Sequence, residues 1–65
     1  MTQDKLLYRV AEAAHALSLS ESTVWNLIRA RSLPSVLVGR SRRVPAESMR
    51  MFVAALEEEH PNGDK

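Results

Sequence analysis

Three arginines fall within four positions in "VGRSRRVP", residues 38–45. A guanidinium is a planar fork of N–H donors that fits a phosphate or the O6/N7 edge of guanine. Arg40, Arg42 and Arg43 therefore make a polyanion-binding cluster, with Ser41 between them as a further donor. A second polar group lies upstream in "ESTVWNLIR", residues 21–29. Asn bonds adenine through two atoms, Arg does the same to guanine, and Ser or Thr bonds either a base or a phosphate. Ser22, Thr23, Trp25, Asn26 and Arg29 are the candidates there.

The charge map points the same way. The chain has 65 residues and a net charge of only +1. No Asp or Glu lies between Ser22 and Ala46, while that interval holds Arg29, Arg31, Arg40, Arg42 and Arg43. A basic centre between acidic ends marks one face for a polyanion.

Other chemistry lacks its residues. Without cysteine there is no disulfide, thiol nucleophile or thiolate zinc site. His15 and His60 are too far apart, and too short of partners, for a metal centre or a Ser–His–acid set. The only glycines, Gly39 and Gly63, form no phosphate loop. A domain this small also has no room for a sizeable pocket. The reading is not an enzyme, with no cofactor and no metal. No apolar run spans a membrane, and "MTQDKLLYRV" lacks the core of a signal peptide. The expected location is the cytoplasm.

The elements that position these residues follow from spacing. Val10, Ala13, Ala14 and Leu17 form the i, i+3, i+4, i+7 stripe of a short amphipathic helix. Ser20 is placed to cap a second helix, with Val24, Leu27 and Ile28 inward and an end near Arg31 before Pro34. The outward arc then carries Ser22, Trp25, Asn26 and Arg29, with Thr23 at its edge. Trp25 is placed equally well to pack under a neighbouring hairpin or to touch nucleic acid. Thr23 also fits a purely local role in the first turn.

"SVLVGRSRRV" predicts a hairpin. Val36 and Val38 are expected to face the core with Val44, Leu37 and Arg43 to face away, and Arg40, Ser41 and Arg42 to occupy the tip. Pro45 suits the first turn of a third helix, in which Met49, Phe52, Val53 and Leu56 cap the core. Leu6–Tyr8 is expected to add a short strand. Glu57–Glu59 oppose the helix dipole and are expected to fray. The predicted division is a DNA-binding domain over residues 1–57 and a polar tail over 58–65.

The fold class is therefore mainly α with a small β-hairpin: three helices plus a wing, a winged helix-turn-helix. The stretch "LYRVAEAAHALSLSESTVWNLIRARSLPSVLVGRSRRVPAESMRMFVAAL" resembles the small excisionase-type helix-turn-helix domains, relatives of the DNA-binding region of MerR regulators. The resemblance implies a second helix in the major groove and a wing on the backbone or in the minor groove. By position it implicates Ser22, Thr23, Trp25, Asn26 and Arg29, and Arg40, Ser41, Arg42 and Arg43. It implies sequence-specific binding of double-stranded DNA in a bacterial or phage setting, on the nucleoid when bound. The leading role is that of a recombination directionality factor, bending DNA beside attachment sites for an integrase. A small MerR-like transcriptional regulator is the alternative, and a winged-helix protein-interaction module is a third reading. Further copies on repeated sites are expected partners.

The chain departs from the family pattern at three places. Ser18 stands where many members have Gly, Arg31 and Ser32 stand where many have another, and Arg9 stands where many have a capping Ser or Thr. Either the loops differ, or a side chain is held at a positive φ under some strain.

Overall fold

The structure is a computed structural model that describes residues 5–59. The order is β1 (Leu7–Arg9), α1 (Val10–Leu17), α2 (Glu21–Arg29), β2 (Val36–Val38), β3 (Ser41–Pro45) and α3 (Ala46–Glu59). The three strands form an antiparallel sheet in the order β1-β3-β2. This is the expected winged helix-turn-helix.

Each helix in the helix-turn-helix has a local reason to start. Arg9 precedes α1 in an extended conformation, and its guanidinium has no acceptor with which to cap. Glu12 supplies the reciprocal half of a capping box: its Oε1 takes the Arg9 backbone N–H at 2.9 Å. Its other oxygen binds Lys5 Nζ at 2.6 Å. These contacts hold the Glu12 carboxyl below its ordinary range, the Lys5 ammonium being the larger cause and the Arg9 N–H the next. At α2 the Ser20 hydroxyl accepts from the Thr23 N–H at 3.1 Å, as the sequence predicts.

Both helices also stop alike. Ser18 sits at φ 60° and Arg31 at φ 64°, in the left-handed region. After α1, the N–H of Ser18 reaches the His15 carbonyl at 3.1 Å, and that of Leu19 reaches Ala14 at 2.8 Å. After α2, Arg31 N–H reaches Ile28 at 3.0 Å, and Ser32 N–H reaches Leu27 at 2.9 Å. Each pair is the Schellman arrangement, usually built on glycine. Both turns thus take the left-handed geometry without glycine, and the strain is tolerated.

The core is Val10, Ala13, Ala14, Val24, Leu33, Val44 and Met49. The alanines let α2 approach α1 closely. Leu33 is fully buried and pins the segment between α2 and the wing, a contribution the periodicity of neither neighbour indicates.

The hairpin corrects the expected faces. Its turn is the two residues Gly39 and Arg40, with Gly39 at φ 63°. Ser41 pairs with Val38, Arg42 with Leu37 and Arg43 with Val36, so Ser41 and Arg42 lie in the strand and not at the tip. Partners directly opposite share a face, and neighbours along a strand alternate. Val36 and Val38 therefore lie on the face opposite Val44. Val38 is 52% exposed, whereas Val44 is 0%. The one-residue difference in register reverses β2 alone: Leu37, expected to face away, shares the sheet face of Val44, while Val44 and Arg43 keep their expected faces.

Other boundaries shift by small amounts. β1 covers Leu7–Arg9, one residue later than expected, and pairs with β3. Pro45 closes β3, immediately before the first residue of α3. In α3, Met49 is buried and Phe52 half-buried, but Val53 and Leu56 are exposed and do not cap the core. α3 is helical through Glu59. Residues 60–65 lie outside the described residues. No described helix is long and apolar enough to cross a membrane.

Candidate nucleic-acid interface

The outer arc of α2 and the wing meet at an open cleft of about 670 Å³, larger than a domain this small was expected to hold. Trp25, Ile28, Arg29, Arg31, Ser35 and Arg42 are among its lining residues. The alternation of β3 explains why Arg42 is there: it shares the sheet face of Val44, which is turned to the core. Its Nη1 donates to the Ser35 hydroxyl at 3.2 Å. Ser35 was not a sequence candidate. Its hydroxyl meets Arg42 only once the hairpin closes, and no local spacing signals that.

Along α2, Ser22 and Asn26 are exposed on the outer arc, as predicted. Arg29 Nη1 donates to Asn26 Oδ1 at 2.8 Å. Thr23 is occupied locally. Its Oγ1 accepts from the Ser20 hydroxyl at 2.9 Å, and its N–H is the capped group. Trp25 packs beside the wing, one of the two roles expected of it. Its indole lines the cleft beside the wing and is still 36% exposed.

The wing candidates are not brought to one place. Arg42 faces the cleft, Arg40 occupies the turn, and Ser41 and Arg43 lie on the other face of the sheet. There Arg43 stands directly opposite Arg9 of β1. Like charges placed so are unfavourable unless an anion or solvent separates them. Arg9 is not among the residues that the sequence implicates in binding. The pairing of β1 with β3 is what places it beside the wing.

The electrostatics favour a polyanion. Three guanidiniums line the cleft, and the hydrogen-bond acceptors found for two of them are neutral, an amide and a hydroxyl. Neutral acceptors orient a guanidinium and leave its charge undiminished. The ion pairs among the described residues, Lys5–Glu12 and Glu47–Arg50, involve none of the cleft's arginines.

Comparison with known proteins agrees with this architecture. Residues 7–56 match the helix-turn-helix domain family. An excisionase of Streptomyces ambofaciens is 38% identical over 47 residues, covering 72% of this chain and 76% of that protein. No solved structure matches the chain. On its fold, its cleft and these matches, the chain belongs to the excisionase-type helix-turn-helix family of DNA-binding proteins.

Proposed function

We propose that the chain acts as an excisionase, a directionality factor that binds double-stranded DNA beside attachment sites and bends it in favour of excision by an integrase. The observation that carries this reading is the convergence of Arg29, Arg31 and Arg42 on one cleft beside an exposed polar helix face. The 38% identity to a protein named excisionase supports the role.

In this reading α2 lies in the major groove. Ser22, Asn26 and Arg29 face base edges and adjacent phosphates, and Trp25 packs along the sugar–phosphate wall. Thr23 acts chiefly by holding the start of the helix. Arg42 grips the backbone from the cleft, and Arg40 carries the turn to the next phosphates or the minor groove. Ser41 and Arg43 meet the backbone from the outer face of the wing. The chain performs no catalysis; strand exchange belongs to the integrase. One such domain makes few base contacts, so useful affinity comes from several copies on repeated sites or from the integrase itself. The setting is the cytoplasm of a bacterium, on the nucleoid.

Selection from a randomised duplex pool at physiological salt tests the reading. The expected result is one enriched motif, repeated in phase with the helical turn when several copies bind. Adding that site and this protein to an integrase reaction then shifts the products toward excision. A wild-type protein that binds no duplex contradicts the proposal and leaves the fold as a protein-interaction module.

A further inference from the structure

We infer that Asn26 and Arg29 act as one unit that selects guanine, with Arg29 reading the base and Asn26 positioning Arg29. The inference rests on the DNA-binding reading above and goes beyond it, because it assigns a base preference and divides the labour between two residues. The two lie three positions apart on α2, one helical turn, so their side chains share a face. Arg29 Nη1 donates to Asn26 Oδ1 at 2.8 Å.

That bond fixes the amide. A guanidinium has donors and no acceptor, so only the oxygen of Asn26 can face it. Nδ2, itself a donor, is left as the free end. A two-point contact to adenine needs an acceptor for N6 and a donor for N7, side by side. Here one of the two lone pairs of that acceptor is taken by Arg29, and the bond sets the orientation of the amide. What the pair presents outward is mainly donors: the remaining guanidinium N–H groups and the Nδ2 hydrogens outnumber the one lone pair left on Oδ1. The major-groove edge of guanine, with O6 and N7, is the base edge made of two adjacent acceptors.

The tie also restricts a long side chain before DNA arrives. A free Arg loses rotamer freedom when it docks. An Arg already held by its helix neighbour loses less, so more of its interaction appears as discrimination. The holding group is neutral, so the guanidinium keeps its full attraction for DNA. Asn26 is thus a positioning residue, and Arg29 the specificity-determining one.

The test is randomised-duplex selection with the wild type and the full-length variants Arg29→Ala, Asn26→Ala and Asn26→Asp. Both side chains are exposed, and helicity measured by circular dichroism verifies that each variant is folded. The wild type is expected to enrich guanine at one motif position by roughly 10- to 100-fold over adenine. Arg29→Ala abolishes that preference. Asn26→Ala keeps guanine as the preferred base with a several-fold smaller ratio. Asn26→Asp restores the acceptor, so it keeps guanine at that position while total affinity falls through its negative charge. An adenine lost in Asn26→Ala and unaffected by Arg29→Ala overturns the inference, as does an enriched motif without that guanine. Both results leave DNA binding intact. A wild type that binds no duplex overturns the DNA reading as well, so the two failures are distinguishable.

Discussion

Arg42, in the middle of the wing strand, donates to the hydroxyl of Ser35, seven residues earlier on the segment leading into the wing. The bond holds the wing's central guanidinium inward, toward α2. Arg42→Ala should weaken binding to all duplexes and lower the slope of log affinity against log salt by about one. Ser35→Ala keeps the charge and releases the tether, so it should lower affinity several-fold with little change in slope. Fluorescence anisotropy over a salt series separates the two effects. An unchanged affinity in both variants would remove the cleft from the interface.

The hairpin register makes a stability prediction. Val44 is fully buried and Val38 is exposed. Val44→Ala should destabilise the domain by about 2 kcal/mol, a serious loss for a chain of marginal stability. Val38→Ala should change stability by less than about 0.5 kcal/mol. Denaturant titration of both variants checks the difference. Equal losses would restore the register in which the two valines share a face.

The left-handed residues predict a gain. A side chain at φ near 60° carries about 1–2 kcal/mol of strain, partly offset because glycine adds entropy to the unfolded chain. Ser18→Gly should therefore stabilise the fold by about 0.5–1 kcal/mol, with a melting temperature raised by several degrees and DNA affinity unchanged. Arg31→Gly should raise stability too, and weaken DNA binding, because Arg31 also lines the cleft. Thermal melts paired with binding isotherms test both statements. A fall in stability on Ser18→Gly would contradict the tension assigned to that turn.

Glu12 predicts a pH dependence. Its carboxyl titrates below the ordinary range because Lys5 and the Arg9 N–H favour the charged form. The native state thus holds this proton less tightly than the unfolded chain. The resulting stabilisation is present above the unfolded carboxylate pKa and is lost as the pH falls through the native one. Glu12→Gln should lower the melting temperature at neutral pH. The gap from the wild type should close as the pH drops below about 4. A gap independent of pH would show that the charge contributes nothing.

Much of this fold is legible in the chain itself. The stripe Val10–Ala13–Ala14–Leu17 and the cap at Ser20 are local signals, and both appear where they predict. The departures arise where the outcome depends on distant partners. Alternation alone cannot say which face of the hairpin is inward until the turn length sets the register, and a two-residue turn set it against Val36 and Val38. The periodicity of α3 reads as core throughout, yet Leu56 is 41% exposed, because the described chain covers the far end of that helix only in part. At the interface, the residue types on α2 were readable. The bond from Arg29 to Asn26, the bond from Arg42 to Ser35 and the placing of Arg9 beside Arg43 were not. Each of those needs a settled rotamer or a tertiary neighbour.

Whether α2 and the wing form one DNA-binding face is tested most directly by amide chemical-shift mapping during titration with the selected duplex. The largest shifts are expected over Ser22–Arg29, at Ser35 and over Arg40–Arg43, with Val53–Glu59 on the far end of α3 unmoved. Shifts concentrated on α3, with α2 and the wing silent, would contradict a shared face.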